Sequence, residues 1–533
     1  LSKADILIRG GQVIDGTGAA ARDADVAIGN GRIVAVAPTL AVDAVRVIDA
    51  RGHVVTPGFI DIKTHSDWTL PLNPKAESKI RQGVTTEVIG HCGYSVAPAL
   101  PGKADLLKDY LSPSAPWLSF IDQSFADYLG SFPATSTNVV PLVGHNTLRL
   151  MVMGLANRAA TSDELAAMAT LIDQALDAGA QGLSTGLFTP PGAFASTEEI
   201  VALAQIVKRK HGLYFTHLRD EANQVFAALD EAIRVGSDAG VHVQVVHMKL
   251  SGLDNWGRAN DMLDRIAAAR EAGVAIDCDQ YPYTAASNPL KNLLPRWVQS
   301  DKLEEMQARL GDPQNRARMR AEIVANGLNN FGRIKDWSAI RISVSPNQAQ
   351  FAGRTIAELA QERGIDGLDC VCDYLIADKC ATRVLVDSIS EDDIRTMIKS
   401  PMVCVGSDGN CVAPYGVTGQ GMPHPRFYGT FPRIIGHYCQ ELQLVDLPLA
   451  IHKMTGASAK ALGFTDRGLL RGGFAADVTI FDPAEFRERA TYEKPHQYPA
   501  GSSTTVLVNG TVTVDHAEHT GALAGRLLKR VEH

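Results

Sequence analysis

Cysteine is scarce in this chain. Its eight residues in 533, Cys92, Cys278, Cys370, Cys372, Cys380, Cys404, Cys411 and Cys439, are too dilute for a disulfide framework. Most lie inside apolar runs, where a reduced thiol packs as a small hydrophobe. Long hydrophobic runs are missing too: no stretch reaches the ~18 uninterrupted apolar residues of a membrane span. The start, Leu1-Ser2-Lys3-Ala4-Asp5, lacks a basic region followed by an apolar run. A cytoplasmic protein without membrane partners is therefore the expectation. Positive charge is in deficit, with a net charge of -8 and a pI near 6.0, which argues against nucleic acid as the main partner. No Gly-x-x-x-x-Gly-Lys-Ser/Thr and no strand-linked Gly-x-Gly-x-x-Gly occurs, so the common nucleotide-binding loops are excluded.

What is present alternates. Residues 5 to 55 read as short strands separated by Arg9-Gly10-Gly11 and Asn30-Gly31, the second a strong hairpin cue. The grammar returns at Asp477–Phe481 and Thr504–Val514. Two such halves can pair into one sandwich if the middle closes on itself, which predicts a small β-sandwich domain from 1–57 plus 464–533. Between them, strands marked by Phe59, Val84, Asn138, Gln181, Leu213, Val241, Val274 and Met402 alternate with helices such as the one opened by the capping box Thr161-Ser162-Asp163-Glu164. Eight strands predict an α/β fold, a (β/α)8 TIM-like barrel over 58–463. The excess chain after Asp279, about 285–344, reads as an inserted, lid-like subdomain.

Active sites of such barrels are assembled at strand carboxyl ends. There this chain places His65, Cys92, His217, His247 and Asp408, and thiolate, imidazole and carboxylate are the usual zinc donors. A lone His at a strand end is more often a hydrogen-bonded core residue and a lone Cys more often packing. Five donor types on one rim point to a metal centre.

These segments resemble the amidohydrolase superfamily, specifically its D-aminoacylase (N-acyl-D-amino-acid deacylase) branch. The quoted motifs are Asp61-Ile62-Lys63-Thr64-His65, Gly90-His91-Cys92-Gly93, Thr216–Glu221, His247–Gly252 and Gly406-Ser407-Asp408-Gly409. The resemblance implies one tight Zn2+ site held by Cys92, His217 and His247. It implies a weaker second site from position 63, His65 and Asp408, with Asp408 as the catalytic acid and base; a turn cap is the bland reading of that aspartate. Lys63 stands where the branch has the first His of His-x-His. An ammonium has no lone pair, so the second site is expected to be damaged and Asp408 to become a poorer base, whereas a deprotonated lysine could still ligate. Natural one-metal use, a substitution in an otherwise competent site and a degraded site all remain open.

The loop His424–Arg433 is similar to one whose first arginine holds a substrate α-carboxylate, which makes Arg426 the candidate through two parallel hydrogen bonds, against a surface salt bridge. Lys249, Tyr281, Tyr283 and Ser287 are further substrate-binding candidates, each with a structural alternative. The implied activity is zinc-dependent hydrolysis of a small N-acyl-D-amino acid. Alternatives are another carboxylate-bearing amide (a dipeptide, cyclic amide or amide toxin) and a metal-binding homologue with little turnover. Nothing in the sequence gives the oligomeric state.

Overall fold

The computed structural model describes residues 3–112, 114–115, 117–299 and 302–530. Its centre is a parallel eight-stranded sheet: Phe59–Asp61, Val84–Ile89, Asn138–Gly144, Gly182–Gly186, Leu213–His217, His242–Val245, Ile276–Gln280 and Val403–Val405, each paired to the next in that order. The first three are buried along their whole length, as strands covered on both faces must be. The last and first strands meet through the parallel bridge of Thr64 with Gly409. There the Asp408 amide donates to the Lys63 carbonyl (2.8 Å) and the His65 amide to the Gly409 carbonyl (3.0 Å). The ring closes at the stretch that carries Lys63, His65 and Asp408.

Local sequence explains the helices between strands. Thr161 accepts from the Glu164 amide while the Glu164 carboxylate accepts from the Thr161 amide, and the helix Ser162–Ala178 ends at Gly179 with φ 114°. That positive φ is a conformation glycine adopts without strain. Met168, Ile172 and Leu176 lie buried on one face.

Both chain ends share one nine-stranded sheet. Val54–Pro57 pairs antiparallel with Val478–Phe481 and parallel with Lys3–Val13. Lys3–Val13 is a single strand rather than the two expected around Arg9-Gly10-Gly11. Its register shifts between Ile8 and Gly11, so the glycines make a bulge instead of a turn. Asn30-Gly31, both at positive φ, does turn the chain between Arg22–Gly29 and Arg32–Ala37.

The inserted unit is longer than about 285–344. Ala285–Pro289 and Ile340–Val344 both pair antiparallel with Arg383–Asp387, a strand well beyond the expected end. Helices Leu303–Gly311, Pro313–Asn326, Ile356–Arg363 and Gly367–Ala377 pack on this sheet around Leu293, Leu310, Ile342, Val371 and Val384. No helix among the described residues is long and apolar enough to cross a membrane.

Candidate metal centre

Cys92, His217 and His247 converge at the carboxyl rim. Cys92 Sγ lies 3.5 Å from His217 Nδ1 and 3.4 Å from His247 Nε2, and the three donor atoms lie within 4.8 Å of one another. His217 closes the strand Leu213–His217, and His247 follows the adjacent strand, so one βα unit brings the rings to a centroid separation of 4.5 Å. Cys92, His247 and Asp408 all have left-handed backbones, with φ 57°, 39° and 50°. Such residues cost on the order of 1–3 kcal/mol each and persist only where surroundings impose them. Around Cys92 the surroundings are tight: a Cβ on Gly186 would sit 2.1 Å from the Cys92 carbonyl oxygen, and one on Gly93 2.2 Å from Asn146 Oδ1.

A layer behind the donors orients them. Glu221 Oε1 lies 3.2 Å from His247 Nδ1, and Glu221 Oε2 lies 3.6 Å from His217 Nε2. A carboxylate facing the far nitrogen of each ring leaves the near nitrogens turned toward Cys92, the arrangement found behind metal-bound imidazoles. Lys249 donates to Glu221 (2.7 Å) and lies 2.8 Å from His247 Nδ1. Asn330 donates to Glu221 Oε2 and accepts from its amide. Asp279 accepts from the His247 amide and from Gln244, and burial lifts its carboxyl to about 7 against the opposing pull of those bonds. Burial pushes His217 down to about 4, and burial with the neighbouring Lys249 cation holds His247 well below its usual range. Both rings are therefore neutral, as ligands must be. Burial lifts the Cys92 thiol to about 12, but a coordinating zinc deprotonates a thiol outright. One sulfur and two imidazoles fit zinc, with a fourth position left for water.

The second group does not fit a metal. Lys63 is fully buried, and its Nζ lies 2.6 Å from Asp408 Oδ1 and 2.9 Å from His65 Nε2. Burial alone would lower the pKa of this amine, but its ion pair and hydrogen bond with Asp408 outweigh that and raise the value. Paired with Asp408 in this way, Lys63 is held as an ammonium, the form without a lone pair for a metal. It contacts both the imidazole and the carboxylate, which themselves lie 3.4 Å apart (His65 Nε2 to Asp408 Oδ1). Burial together with Lys63 drives His65 down to about 3. Asp408 is held well below the usual carboxylate range because Arg426 (2.9 Å) and Lys63 overcome the opposing effect of burial.

Below Asp408 lies a buried clamp in which Asp61 and Ser407 of the quoted motifs meet Lys79, a residue the sequence did not single out. Lys79 Nζ donates to Asp61 Oδ2 (2.7 Å) and Ser407 Oγ (2.6 Å), and Asp61 Oδ1 accepts from the Ser407 amide (2.8 Å). Ser407 Oγ then accepts from the Gly409 amide (3.0 Å). The turn holding Asp408 is thus pinned on both sides.

Of the substrate-binding candidates, Arg426, Lys249, Tyr281 and Ser287 line a cavity of about 460 Å³ that also contains the metal-donor set. The Arg426 guanidinium stacks over Tyr281 at 4.7 Å, and its Nε and Nη1 are buried without a partner. Lys249 is committed to Glu221 and His247. Tyr283 is a correction: it is not in the cavity wall, because its hydroxyl donates to Glu488 (2.8 Å) and Arg433 stacks on its ring at 5.0 Å. Glu221 and Asn330 were missed. Glu221 stood inside a quoted motif, four residues after His217, and that spacing was the one available signal.

A closed parallel barrel with a thiolate and two imidazoles converging at its carboxyl rim defines a metal-dependent hydrolase. Residues 46–514 match the amidohydrolase family, and the chain belongs to that family, in its D-aminoacylase branch. It is 38% identical over 525 residues to the N-acyl-D-aspartate deacylase of Alcaligenes xylosoxydans xylosoxydans, covering 98% of this chain and 94% of the relative. A crystal structure of D-aminoacylase is similar with a TM-score of 0.82 and 36% identity, covering 99% of this chain and 100% of that one. The N-acyl-D-glutamate deacylase of Bordetella bronchiseptica, solved with zinc and a phosphonate mimic of the reaction's tetrahedral intermediate, has a TM-score of 0.82 and 32% identity, with coverage of 99% and 100%.

Proposed function

We propose that this chain hydrolyses the amide bond of an N-acyl-D-amino acid to a D-amino acid and a carboxylate, with one zinc held by Cys92, His217 and His247. The observation that carries this is a single cavity in which that donor set faces Asp408 and the half-satisfied guanidinium of Arg426. The relatives named above act on N-acyl-D-aspartate and N-acyl-D-glutamate.

When bound, zinc would polarise the amide carbonyl and lower the pKa of a water toward ~7. Asp408 takes the proton of the attacking water on a carboxylate oxygen and returns it to the leaving amine nitrogen. Arg426 holds Asp408 Oδ2 through Nη2 and offers its free Nε and Nη1 to the substrate α-carboxylate. This fixes base and substrate relative to one another. Glu221 keeps both imidazoles in register, and the clamp of Lys79, Asp61 and Ser407 keeps Asp408 from rotating out of its strained turn. Lys63 works against the reaction, because its ammonium neutralises the Asp408 oxygen nearest to it.

A second reading, a metal-binding homologue with little turnover, is favoured by that one contact. A colorimetric amine-release screen of N-acetyl-D- and N-acetyl-L-amino acids with added zinc separates the two. Release from D substrates alone is expected. Equal release from both series would contradict the D assignment, and none from either would favour the second reading.

A further inference from the structure

One side chain of the inserted unit reaches behind the metal donors. Asn330, between the helix Pro313–Asn326 and the strand Ile340–Val344, is 3% exposed. Its Oδ1 accepts from the Glu221 amide at 2.7 Å, and its Nδ2 donates to Glu221 Oε2 at 3.3 Å. The two oxygens of Glu221 are thereby held by different parts of the chain. Lys249 of the barrel fixes Oε1, which faces His247, and Asn330 of the inserted unit fixes Oε2, which faces His217. The Asn330 backbone is left-handed, with φ 61°, a conformation that asparagine tolerates better than most residues.

The segment that carries Asn330 is docked on the two loops that follow the imidazoles. Beyond His217, Asn223 Nδ2 donates to the Asn326 carbonyl (2.8 Å); beyond His247, the Leu253 amide donates to the Arg333 carbonyl (2.8 Å). The backbones touch there, since a Cβ on Gly252 would sit 2.8 Å from the Phe331 carbonyl oxygen. Phe331 in turn packs edge-on against Phe188 (6.5 Å between ring centres), whose ring stacks on His217 (5.8 Å). A fixed partner behind a carboxylate sets the orientation of the imidazole which that carboxylate faces. We propose that Asn330 is a positioning residue of the metal centre, through which the inserted unit fixes the Glu221 carboxylate and, with it, the His217 ring. This rests on the zinc reading above and makes the inserted unit a component of the metal site as well as a wall of the cavity.

The test measures zinc affinity, by competition with a chelator, and the visible spectrum of the cobalt-substituted protein in wild type, N330G and N330D. Glycine takes the left-handed backbone without strain, so N330G removes the side chain alone. Aspartate still accepts from the Glu221 amide but sets a second carboxylate against Glu221 Oε2. Both variants are expected to bind zinc on the order of 10–100-fold more weakly, with cobalt bands moved from their wild-type positions because an imidazole has turned. A merely structural Asn330 would lower the unfolding temperature of the zinc-free protein and leave both metal readouts where they were. Should N330G fail to fold, N330D, which keeps the side-chain volume, carries the comparison. Unchanged zinc affinity or unmoved cobalt bands would overturn the proposal while leaving the zinc reading intact. A wild type that takes up neither metal fails that reading, and this proposal falls with it.

Discussion

Replacing Lys63 with methionine is expected to raise the rate of amide hydrolysis. Lys63 Nζ stands 2.6 Å from Asp408 Oδ1, and at an effective dielectric of about 20 that contact is worth roughly 6 kcal/mol. The ammonium therefore stabilises the carboxylate in its ionised form and occupies an oxygen that would receive a proton. Deleting one partner of a buried pair usually costs about 3–5 kcal/mol. Here Asp408 keeps Arg426 at 2.9 Å, and the repulsion between two cations on one carboxylate disappears, so most of that cost is offset. The sign follows directly: Lys63 lowers the proton affinity of Asp408, so its removal raises the folded-state pKa. Asp408 becomes the stronger base, and the acid limb of kcat moves to higher pH. A gain on the order of tenfold in kcat is expected, a modest share of the ~10²–10⁴ available to general acid–base catalysis. The assay is amine release from an N-acetyl-D-amino acid across pH, with zinc content and thermal unfolding measured in parallel. A lower kcat with an unmoved acid limb, in a variant that folds and binds zinc as the wild type does, would refute the reasoning.

Cys92→Ser exchanges a thiolate for a poorer zinc ligand, so zinc content is expected to fall from one per chain to near zero and activity by at least ~10³-fold. Elemental analysis after dialysis checks the first and excess zinc in the assay the second. Arg426→Lys keeps the charge but loses the planar fork, and KM is expected to rise on the order of 10–100-fold; an unchanged KM would remove Arg426 from substrate binding. Lys79→Met leaves Asp61 charged and buried at a position with no exposure, and is expected to cost about 3–5 kcal/mol. The double variant with Asp61→Asn should recover a large part of this in chemical denaturation, which distinguishes a charge clamp from lost packing.

The barrel was legible because its grammar is local. Each strand is a short apolar run ended by Gly, His or Asp, and seven of the eight markers, Phe59 to Val274, begin a strand within about two residues of where periodicity places it, as Met402 does for the eighth. The inserted unit was not legible at its far end. Arg383–Asp387 pairs antiparallel with strands about 40 and about 100 residues earlier, and nothing in Arg383-Val384-Leu385-Val386-Asp387 itself names those partners. The donor set could be read because each residue stands at a strand end. Tyr283 misled because a tyrosine near a strand end has two sides to face, and Glu488, some two hundred residues later in the chain, decides which. The clamp was only half visible: Asp61 and Ser407 stood inside quoted motifs, but an isolated Lys such as Lys79 carries no periodic signal, and only tertiary contact gives it a role.

X-ray absorption at the zinc edge of the protein reconstituted with zinc examines the thiolate and the two imidazoles together. One zinc per chain is expected, with a single sulfur at about 2.3 Å and two imidazole nitrogens at about 2.0–2.1 Å. A shell of nitrogen and oxygen alone, or a sulfur signal that survives Cys92→Ser, would contradict a centre built from Cys92, His217 and His247.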